Sequence, residues 1–244
     1  GEKEKLMGQI LSLRPEGIIV SGAIQTKMNF SLIDKAGIPM VAIGNQIPGS
    51  PMVRHDVRGA IAELTRCCLE RGRLPVGLFQ KPTNWHQNER RLGFLDALIE
   101  TEYGEISEFE VHNIPALKRK TSPAILYDTA EAILFDPFEH GARVARKLVA
   151  EDFLPDALVC TNDHYAFGAM AVLIKSGLTV PYDVFLTGFD NLACTAHGTV
   201  SLSTVEQPIE TMCAVAVDFL KKRITQSSTS GEAWEREEVL PCRV

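Results

Sequence analysis

The chain of 244 residues lacks the excess of basic residues that a nucleic-acid-binding surface needs. It has 25 lysines and arginines against 31 aspartates and glutamates, so the formal net charge is −6 and the pI is near 5.6. DNA-binding modules concentrate positive charge to neutralise phosphates, and we therefore expect no DNA contact from these residues. The acidity does not exclude a regulatory protein whose DNA contacts lie in a separate basic domain.

The chain also lacks a long hydrophobic run and any paired cysteine motif. No apolar run reaches the ~18 residues that a membrane-spanning helix requires. The residues from Gly1 to Lys5 lack the cationic and then apolar layout of a secretory signal. None of the six cysteines forms a C-x-x-C pair, and we interpret them as buried small hydrophobes in a reducing compartment: Cys67, Cys68, Cys160, Cys194, Cys213 and Cys242. These features favour a cytoplasmic protein.

Signatures of catalysis and of cofactor binding are missing as well. The sequence contains no G-x-x-x-x-G-K-[ST], G-x-G-x-x-G, H-E-x-x-H or G-x-S-x-G pattern. The six histidines are scattered, and none is paired with a carboxylate at metal-ligand spacing. No isolated pair of carboxylates lies in apolar surroundings that would shift its pKa. We therefore predict that the chain is not an enzyme and binds neither a metal nor a cofactor.

Short apolar runs alternate with amphipathic segments, a pattern typical of an α/β fold in which helices cover parallel sheets. The predicted strands lie at 17–20, 39–43, 76–79, 109–112, 157–160 and 184–186. The predicted helices lie at 4–13, 30–36, 56–72, 89–99, 139–149 and 164–175, with a last one from residue 208 onwards. Residues 118–131 fit neither pattern, and we predict an inserted loop or a short element there.

Polar residues follow two of the predicted strands, where open α/β sheets bind ligands. Asn162 and Asp163 come after the strand at 157–160, and Asp190 comes after the strand at 184–186. Asp163 directly precedes a helix, so helix capping is the favoured interpretation for it. No clear helix follows Asp190, which favours a ligand contact.

Arg90 falls in the first turn of the helix predicted at 89–99, where the helix dipole opposes a positive charge. An anionic or hydroxyl-rich ligand would compensate that charge, although a solvated surface arginine is the alternative. Trp85 and His86 lie just upstream. Trp85 can stack on a sugar ring or anchor its loop, and the sequence does not decide between these roles.

Four motifs, in this order, resemble those of the lactose/galactose repressor (LacI/GalR) family. They are Glu89-Arg90-Arg91-Leu92-Gly93-Phe94, Thr161-Asn162-Asp163 with Ala166-Phe167-Gly168-Ala169-Met170, Gly177-Leu178-Thr179-Val180-Pro181-Tyr182-Asp183-Val184 with Gly188-Phe189-Asp190-Asn191, and Leu202-Ser203-Thr204-Val205-Glu206-Gln207-Pro208. The resemblance extends over about residues 5–225. It implies a two-lobed periplasmic-binding-protein-like domain of type I that forms a homodimer and senses a small, sugar-like effector between its lobes. Operator DNA would be bound only through an N-terminal helix-turn-helix headpiece.

The same resemblance assigns effector contacts to Arg90, Asp190 and Asn162. It places His86 where the family has a small hydroxyl residue, which argues for an effector unlike the common galactosides. The aromatic that covers the sugar in the family would align near Asp136, beside Phe135 and Phe138.

For the lobes, the resemblance implies an amino lobe from residues 1–55 and 203–225 and a carboxyl lobe from 56–202. The tail at 226–244 is expected to return to the carboxyl lobe. The family's first strand, helix and second strand have no counterpart here, nor has the headpiece. The strand at 17–20 is apolar on both faces, as expected for an interior strand, yet the sequence supplies a neighbour on only one side.

Two other functions remain as alternatives. A stand-alone solute receptor of a transport or chemotaxis system could have the same fold, but it predicts a secretory signal and fewer free cysteines. An enzyme on a similar sheet would need a reactive set of side chains, and the sequence does not show one.

Overall fold

Contacts within the chain divide it into two α/β units. The computed structural model describes residues 2–21, 30–80, 85–101, 107–110, 124–128, 136–197, 201–226 and 237–244. Unit 1 consists of Gly1–Asp56 and Pro208–Pro241, and unit 2 consists of Val57–Gln207 and Cys242–Val244. Among the described helices, none is long and apolar enough to cross a membrane.

Unit 1 is built on a parallel four-stranded sheet with the order β1-β2-β3-β9. Its elements are α1 (Glu2–Ser12), β1 (Ile18–Ser21), α2 (Ser31–Lys35), β2 (Met40–Ile43), β3 (Met52–His55), α7 (Ile209–Gln226) and β9 (Glu237–Leu240). On α7, Met212, Ala216 and Phe219 are buried in one cluster with Val41 of β2 and Val53 of β3. These three residues form an apolar stripe along one side of α7.

Strand β1 lies at the edge of this sheet. Ile18 is in register with Met40 of β2, and β2 is the only strand that pairs with β1 within the described ranges. Val20 is buried, whereas Ile19 on the opposite face is 36% exposed. Strand β1 therefore pairs on one side, with the strand predicted at 39–43, as the sequence indicated.

The C-terminal tail was predicted to return to the carboxyl lobe, and for most of its described length this is wrong. Strand β9 pairs in parallel with β3, with Val239 opposite Arg54, and so belongs to unit 1. Only Cys242–Val244 group with unit 2. Strand β3 was missed because it ends in two polar residues, Arg54 and His55, and so lacks the apolar run of the predicted strands.

Unit 2 is a parallel five-stranded sheet with the order β5-β6-β4-β7-β8. Its elements are α3 (Val57–Glu70), β4 (Pro75–Gln80), α4 (Trp85–Glu100), β5 (Ser107–Glu110), β6 (Ala124–Asp128), α5 (Pro137–Ala150), β7 (Ala157–Cys160), α6 (Asp163–Lys175) and β8 (Phe185–Thr187). Helices α3 and α4 contribute to one apolar cluster, and α5 and α6 contribute to another. From β4 the chain runs to β5 and β6 on one side and then to β7 and β8 on the other, so the strand order reverses between β4 and β7.

Helices α5 and α6 approach each other closely through glycines. A Cβ atom added to Gly168 of α6 would lie within 3.0 Å of the Phe138 carbonyl oxygen, and one added to Gly141 of α5 would lie equally close to the Tyr165 carbonyl oxygen. A Cβ atom added to Gly93 of α4 would likewise lie within 3.0 Å of the Arg58 carbonyl oxygen of α3. Three glycines of unit 2, two of them in the quoted motifs, thus allow helix backbones to touch.

Candidate functional site

Polar groups gather at the carboxyl ends of β7 and β8 in unit 2. The chain leaves β7 through Thr161 and Asn162, and it leaves β8 through the loop Gly188–Leu192. Because β7 and β8 are paired neighbours, these two segments emerge side by side. They lie next to the point where the strand order reverses, which is where open α/β sheets carry ligand sites.

Asn162, rather than Asp163, caps helix α6. Asn162 has an extended backbone, and its side-chain oxygen accepts a hydrogen bond from the Tyr165 N–H at 3.0 Å, so Asn162 caps α6. The prediction that Asp163 is the cap is wrong, because Asp163 is already the first helical residue. Its carboxylate is fully buried and accepts hydrogen bonds from the Thr204 hydroxyl at 2.6 Å and the Leu192 N–H at 2.8 Å.

Asp190 lies in a strained part of the loop after β8. Its φ is 115°, and Asn191 follows with a φ of 50°, a region that non-glycine residues rarely adopt. The Asp190 carboxylate is half-buried and accepts a hydrogen bond from the Gln207 side-chain amide at 2.6 Å. Burial raises the pKa of Asp190, and the positive charge of Arg90 partly offsets this effect.

Arg90 reaches the same loop from α4. The centre of its guanidinium lies 4.9 Å from the ring centroid of Phe189, a cation–π contact. Its Nε is buried and has no hydrogen-bond partner in the described part of the chain. Burial lowers the pKa of Arg90, whereas the Asp190 carboxylate acts in the opposite direction. A buried N–H donor without a partner is costly, so this geometry favours a ligand that brings an acceptor.

Arg90 does not lie in the first turn of its helix, as the sequence predicted. Helix α4 begins at Trp85, four residues earlier than predicted, and Arg90 therefore lies in its second turn. The field of the helix N-terminus falls off within the first turn. The unpartnered Nε, rather than the helix dipole, is what makes Arg90 a candidate ligand contact.

The remaining candidates lie at helix starts or outside the described residues. Trp85 is 37% exposed at the start of α4, and its ring meets that of His86 edge to face with centroids 4.9 Å apart. Asp136 is the exposed cap of α5 and accepts a hydrogen bond from the Phe138 N–H at 3.0 Å. Phe135 lies outside the described residues.

The structure thus brings Arg90 and Asp190 together and adds three residues that sequence reasoning missed. They are Phe189, which stacks on Arg90, Gln207, which binds Asp190, and Thr204, which binds Asp163. The signal was available for all three, because they belong to the motifs quoted above.

The six cysteines differ in burial, and Cys242 acts electrostatically on Arg90. Burial raises the pKa of Cys68 to about 12 and raises that of Cys160 as well, so both thiols remain protonated. All six cysteines are free, but Cys194 and Cys213 are exposed, which makes the interpretation of buried thiols wrong for these two. The described residues contain no group of three or more His, Cys, Asp and Glu side chains that could hold a metal ion.

The raised pKa of Asp190 predicts how Asp190→Asn changes stability with pH. When the pKa of a carboxyl group is higher in the folded than in the unfolded protein, the group stabilises the folded protein at low pH. This contribution is lost as the pH rises through the pKa of the folded state. The free energy of unfolding of Asp190→Asn, relative to wild type, should therefore rise from acid pH towards neutral pH and then level off. Urea unfolding at a series of pH values measures this difference, and a flat or falling profile would contradict the assignment.

Known proteins resemble this chain over most of its length. Residues 66–244 match the family model described as periplasmic binding protein-like domain. A protein of Bacillus subtilis (strain 168), named "Probable HTH-type transcriptional repressor ExuR", is 26% identical over 228 residues, which are 91% of this chain and 62% of that protein. The chain thus spans less than two thirds of the length of this curated relative.

Solved structures share the fold. A LacI-family transcriptional regulator from Enterococcus faecium with bound ribose has a TM-score of 0.74 at 20% identity, covering 98% of this chain and 81% of that one. The transcriptional regulator CelR in complex with cellobiose has a TM-score of 0.77 at 22% identity, covering 99% of this chain and 68% of that one. The parallel α/β architecture predicted from the sequence is confirmed.

Proposed function

The chain belongs to the family of periplasmic binding protein-like domains, and we propose that it is the effector-sensing part of a DNA-binding transcriptional regulator of the LacI/GalR type. The Bacillus relative is named as a repressor, and both solved structures are named as transcriptional regulators rather than enzymes. The net charge of −6 supports DNA contacts made by a headpiece outside these residues. Such a regulator works in the cytoplasm, and operator half-sites favour a two-fold symmetric homodimer.

The effector that fits this site is a small polar molecule with several hydroxyl groups and at least one strong acceptor. The single observation that carries this proposal is Arg90, whose buried Nε has no hydrogen-bond partner among the described residues while its guanidinium lies over the Phe189 ring. Asp190, whose carboxylate feels the positive charge of Arg90, supplies an acceptor, and the Asn162 amide lies at the neighbouring strand end. A donor and an acceptor side by side suit adjacent oxygens of a sugar-like ligand, and Trp85 or His86 can cover an apolar ring face.

Effector binding would then change the affinity for operator DNA. By thermodynamic linkage, DNA would change the affinity for the effector by the same factor. A stand-alone solute receptor remains the second candidate, since it could share the fold and the site. The repressor name of the relative favours the regulator.

A thermal-shift screen of sugars, sugar phosphates, polyols and nucleobases tests the proposal. A compound present at 100 times its Kd stabilises the folded protein by about 2.7 kcal/mol, which for a chain of this size raises the Tm by about 5–10 °C. We expect at least one compound to do so with wild type and to have a much smaller effect with Asp190→Asn.

The matched control is Asp218→Asn, which changes an exposed carboxylate on α7 that pairs with Lys222. This variant should keep the full shift. If every active compound stabilises Asp190→Asn as strongly as wild type, the assigned site is wrong.

A further inference from the structure

Asp163 is a carboxylate beside the Asp190 loop that the proposed effector site does not use. Its side chain is fully buried, and each of its oxygens is engaged inside the protein. One oxygen accepts from the Thr204 hydroxyl at 2.6 Å, and the other accepts from the Leu192 N–H at 2.8 Å. The Asp163 N–H in turn donates to the Phe189 carbonyl oxygen at 2.9 Å. A group enclosed in this way is a poor candidate for contact with a ligand.

The loop that Asp163 holds is strained. Asp190 and Asn191 both have positive φ, at 115° and 50°. Residues in such regions cost on the order of 1–3 kcal/mol each and persist only where the surroundings fix them. Something must therefore prevent the loop from relaxing and turning the Asp190 side chain away from Arg90.

A second segment, residues 203–207, holds the same loop from its other side. The Gly188 N–H donates to the Ser203 carbonyl at 2.8 Å, and the Asp190 N–H donates to the Val205 carbonyl at 3.0 Å. The Asn191 N–H donates to the Thr204 hydroxyl at 3.2 Å. Because that hydroxyl also donates to Asp163, Thr204 joins this segment, the loop and the start of α6 in one network.

The packing leaves little freedom at this junction. A Cβ atom added to Gly188 would lie within 3.0 Å of an Asp163 carboxylate oxygen, so only glycine allows the loop to pass this close. Burial of a carboxylate is unfavourable unless its oxygens are hydrogen-bonded. The Leu192 N–H and the Thr204 hydroxyl supply these bonds, which makes the arrangement depend on both partners.

We propose that Asp163 is a positioning residue: through the Leu192 N–H and the Thr204 hydroxyl it fixes the strained Gly188–Leu192 loop and thereby sets where Asp190 stands relative to Arg90. Asp163 does not itself touch the effector. The inference rests on the proposed function for its biological meaning, but the geometry that it describes can be tested without any ligand.

The experiment measures amide hydrogen exchange by NMR in ligand-free protein for wild type, Asp163→Ala, Thr204→Val and Thr204→Ser. Loss of a hydrogen bond to a charged group should speed exchange of the Leu192 amide about tenfold or more in Asp163→Ala. Exchange at Asp190 should rise with it, whereas the Leu158 amide in β7 should change much less. Thr204→Val should speed exchange at Asp190 and Leu192, and Thr204→Ser, which keeps the hydroxyl, should restore wild-type rates.

The buried Arg90 Nε–H gives a second readout at the site itself. Its chemical shift senses the ring of Phe189, which lies directly before Asp190. The shift should change in Asp163→Ala and Thr204→Val but not in Thr204→Ser. The matched control is Asp183→Ala, which removes a carboxylate that accepts from the Thr179 N–H at 2.6 Å beyond the other end of α6. This control should leave the Arg90 signal and the loop amides unchanged.

Three results would overturn the proposal. In the first, exchange rises equally at Leu158 and at the loop, which indicates general destabilisation. In the second, Thr204→Ser behaves like Thr204→Val, so that the hydroxyl is irrelevant. In the third, the Arg90 signal does not move in Asp163→Ala. The expected exchange pattern together with an inactive ligand screen would instead refute the proposed function and leave the positioning role intact.

Discussion

Replacing Gly168 by alanine is expected to lower the free energy of unfolding by about 3 kcal/mol, at the upper end of the usual cost of overpacking. The added methyl group would lie within 3.0 Å of the Phe138 carbonyl oxygen and of the Ala142 nitrogen, which are backbone atoms of α5. A side chain could rotate away, but here two helices must separate. Because α6 also carries Asn162 and Asp163 at its start, the strain would reach the candidate site.

Gly8→Ala is the matched control for this prediction. Gly8 also lies within a helix, α1, but a Cβ atom at this position would meet nothing within 4 Å. Alanine there should stabilise the protein by about 0.5–1 kcal/mol, because it reduces the conformational freedom of the unfolded chain. Urea unfolding of both variants measures the contrast, and a Gly168→Ala variant as stable as wild type would show that α5 and α6 can separate freely.

Much of unit 2 could be predicted because local signals agree with the tertiary structure. Strand β7 has the predicted bounds, Ala157–Cys160, since four consecutive apolar residues between polar ones are typical of a strand buried on both faces. Helix α6 lies within one residue of its predicted bounds, 164–175. The ligand role of Asp190 was inferred from its place after a strand, and in the structure the positive charge of Arg90 acts on its carboxylate.

Other features depend on partners that are remote in sequence. Strands β3 and β9 were not predicted, and both contain charged residues among their four positions, which hides the apolar pattern. Strand β6 lies within the segment 118–131, where only a loop or a short element was predicted. The residues next to Asp163 in the sequence indicate a helix cap. The actual role of Asp163 depends on Leu192 and Thr204, which lie 29 and 41 residues away in the chain. The first turn of α4 was missed because Trp85-His86-Gln87-Asn88 shows no apolar periodicity.

Arg90→Met should separate the stability of the site from its affinity for the effector. Methionine has a similar length and can pack against the ring of Phe189. It also removes a guanidinium whose buried Nε has no partner in the part of the chain that the structure describes. Removal of that buried donor offsets the lost cation–π contact and the lost attraction to Asp190, so the free energy of unfolding should stay within about 1 kcal/mol of wild type. The affinity for a compound found in the thermal-shift screen should fall about 100-fold, because charge-assisted hydrogen bonds to the ligand are lost.

Arg90→Lys completes this test, since it keeps the positive charge but loses the planar donor geometry of the guanidinium. If the effector needs that geometry, lysine should recover less than about a tenth of the wild-type affinity, whereas a purely electrostatic role predicts nearly full recovery. Calorimetric titration gives the affinities, and urea unfolding gives the stabilities.

Unchanged affinity in Arg90→Met would remove Arg90 from the site. A loss of stability above about 3 kcal/mol would instead make it a structural residue, like the partner of a buried ion pair whose removal leaves a charge uncompensated. The expected result for Arg90→Met is a protein that remains stable but binds the compound weakly. This result would indicate that the Arg90 guanidinium contributes to ligand binding rather than to stability.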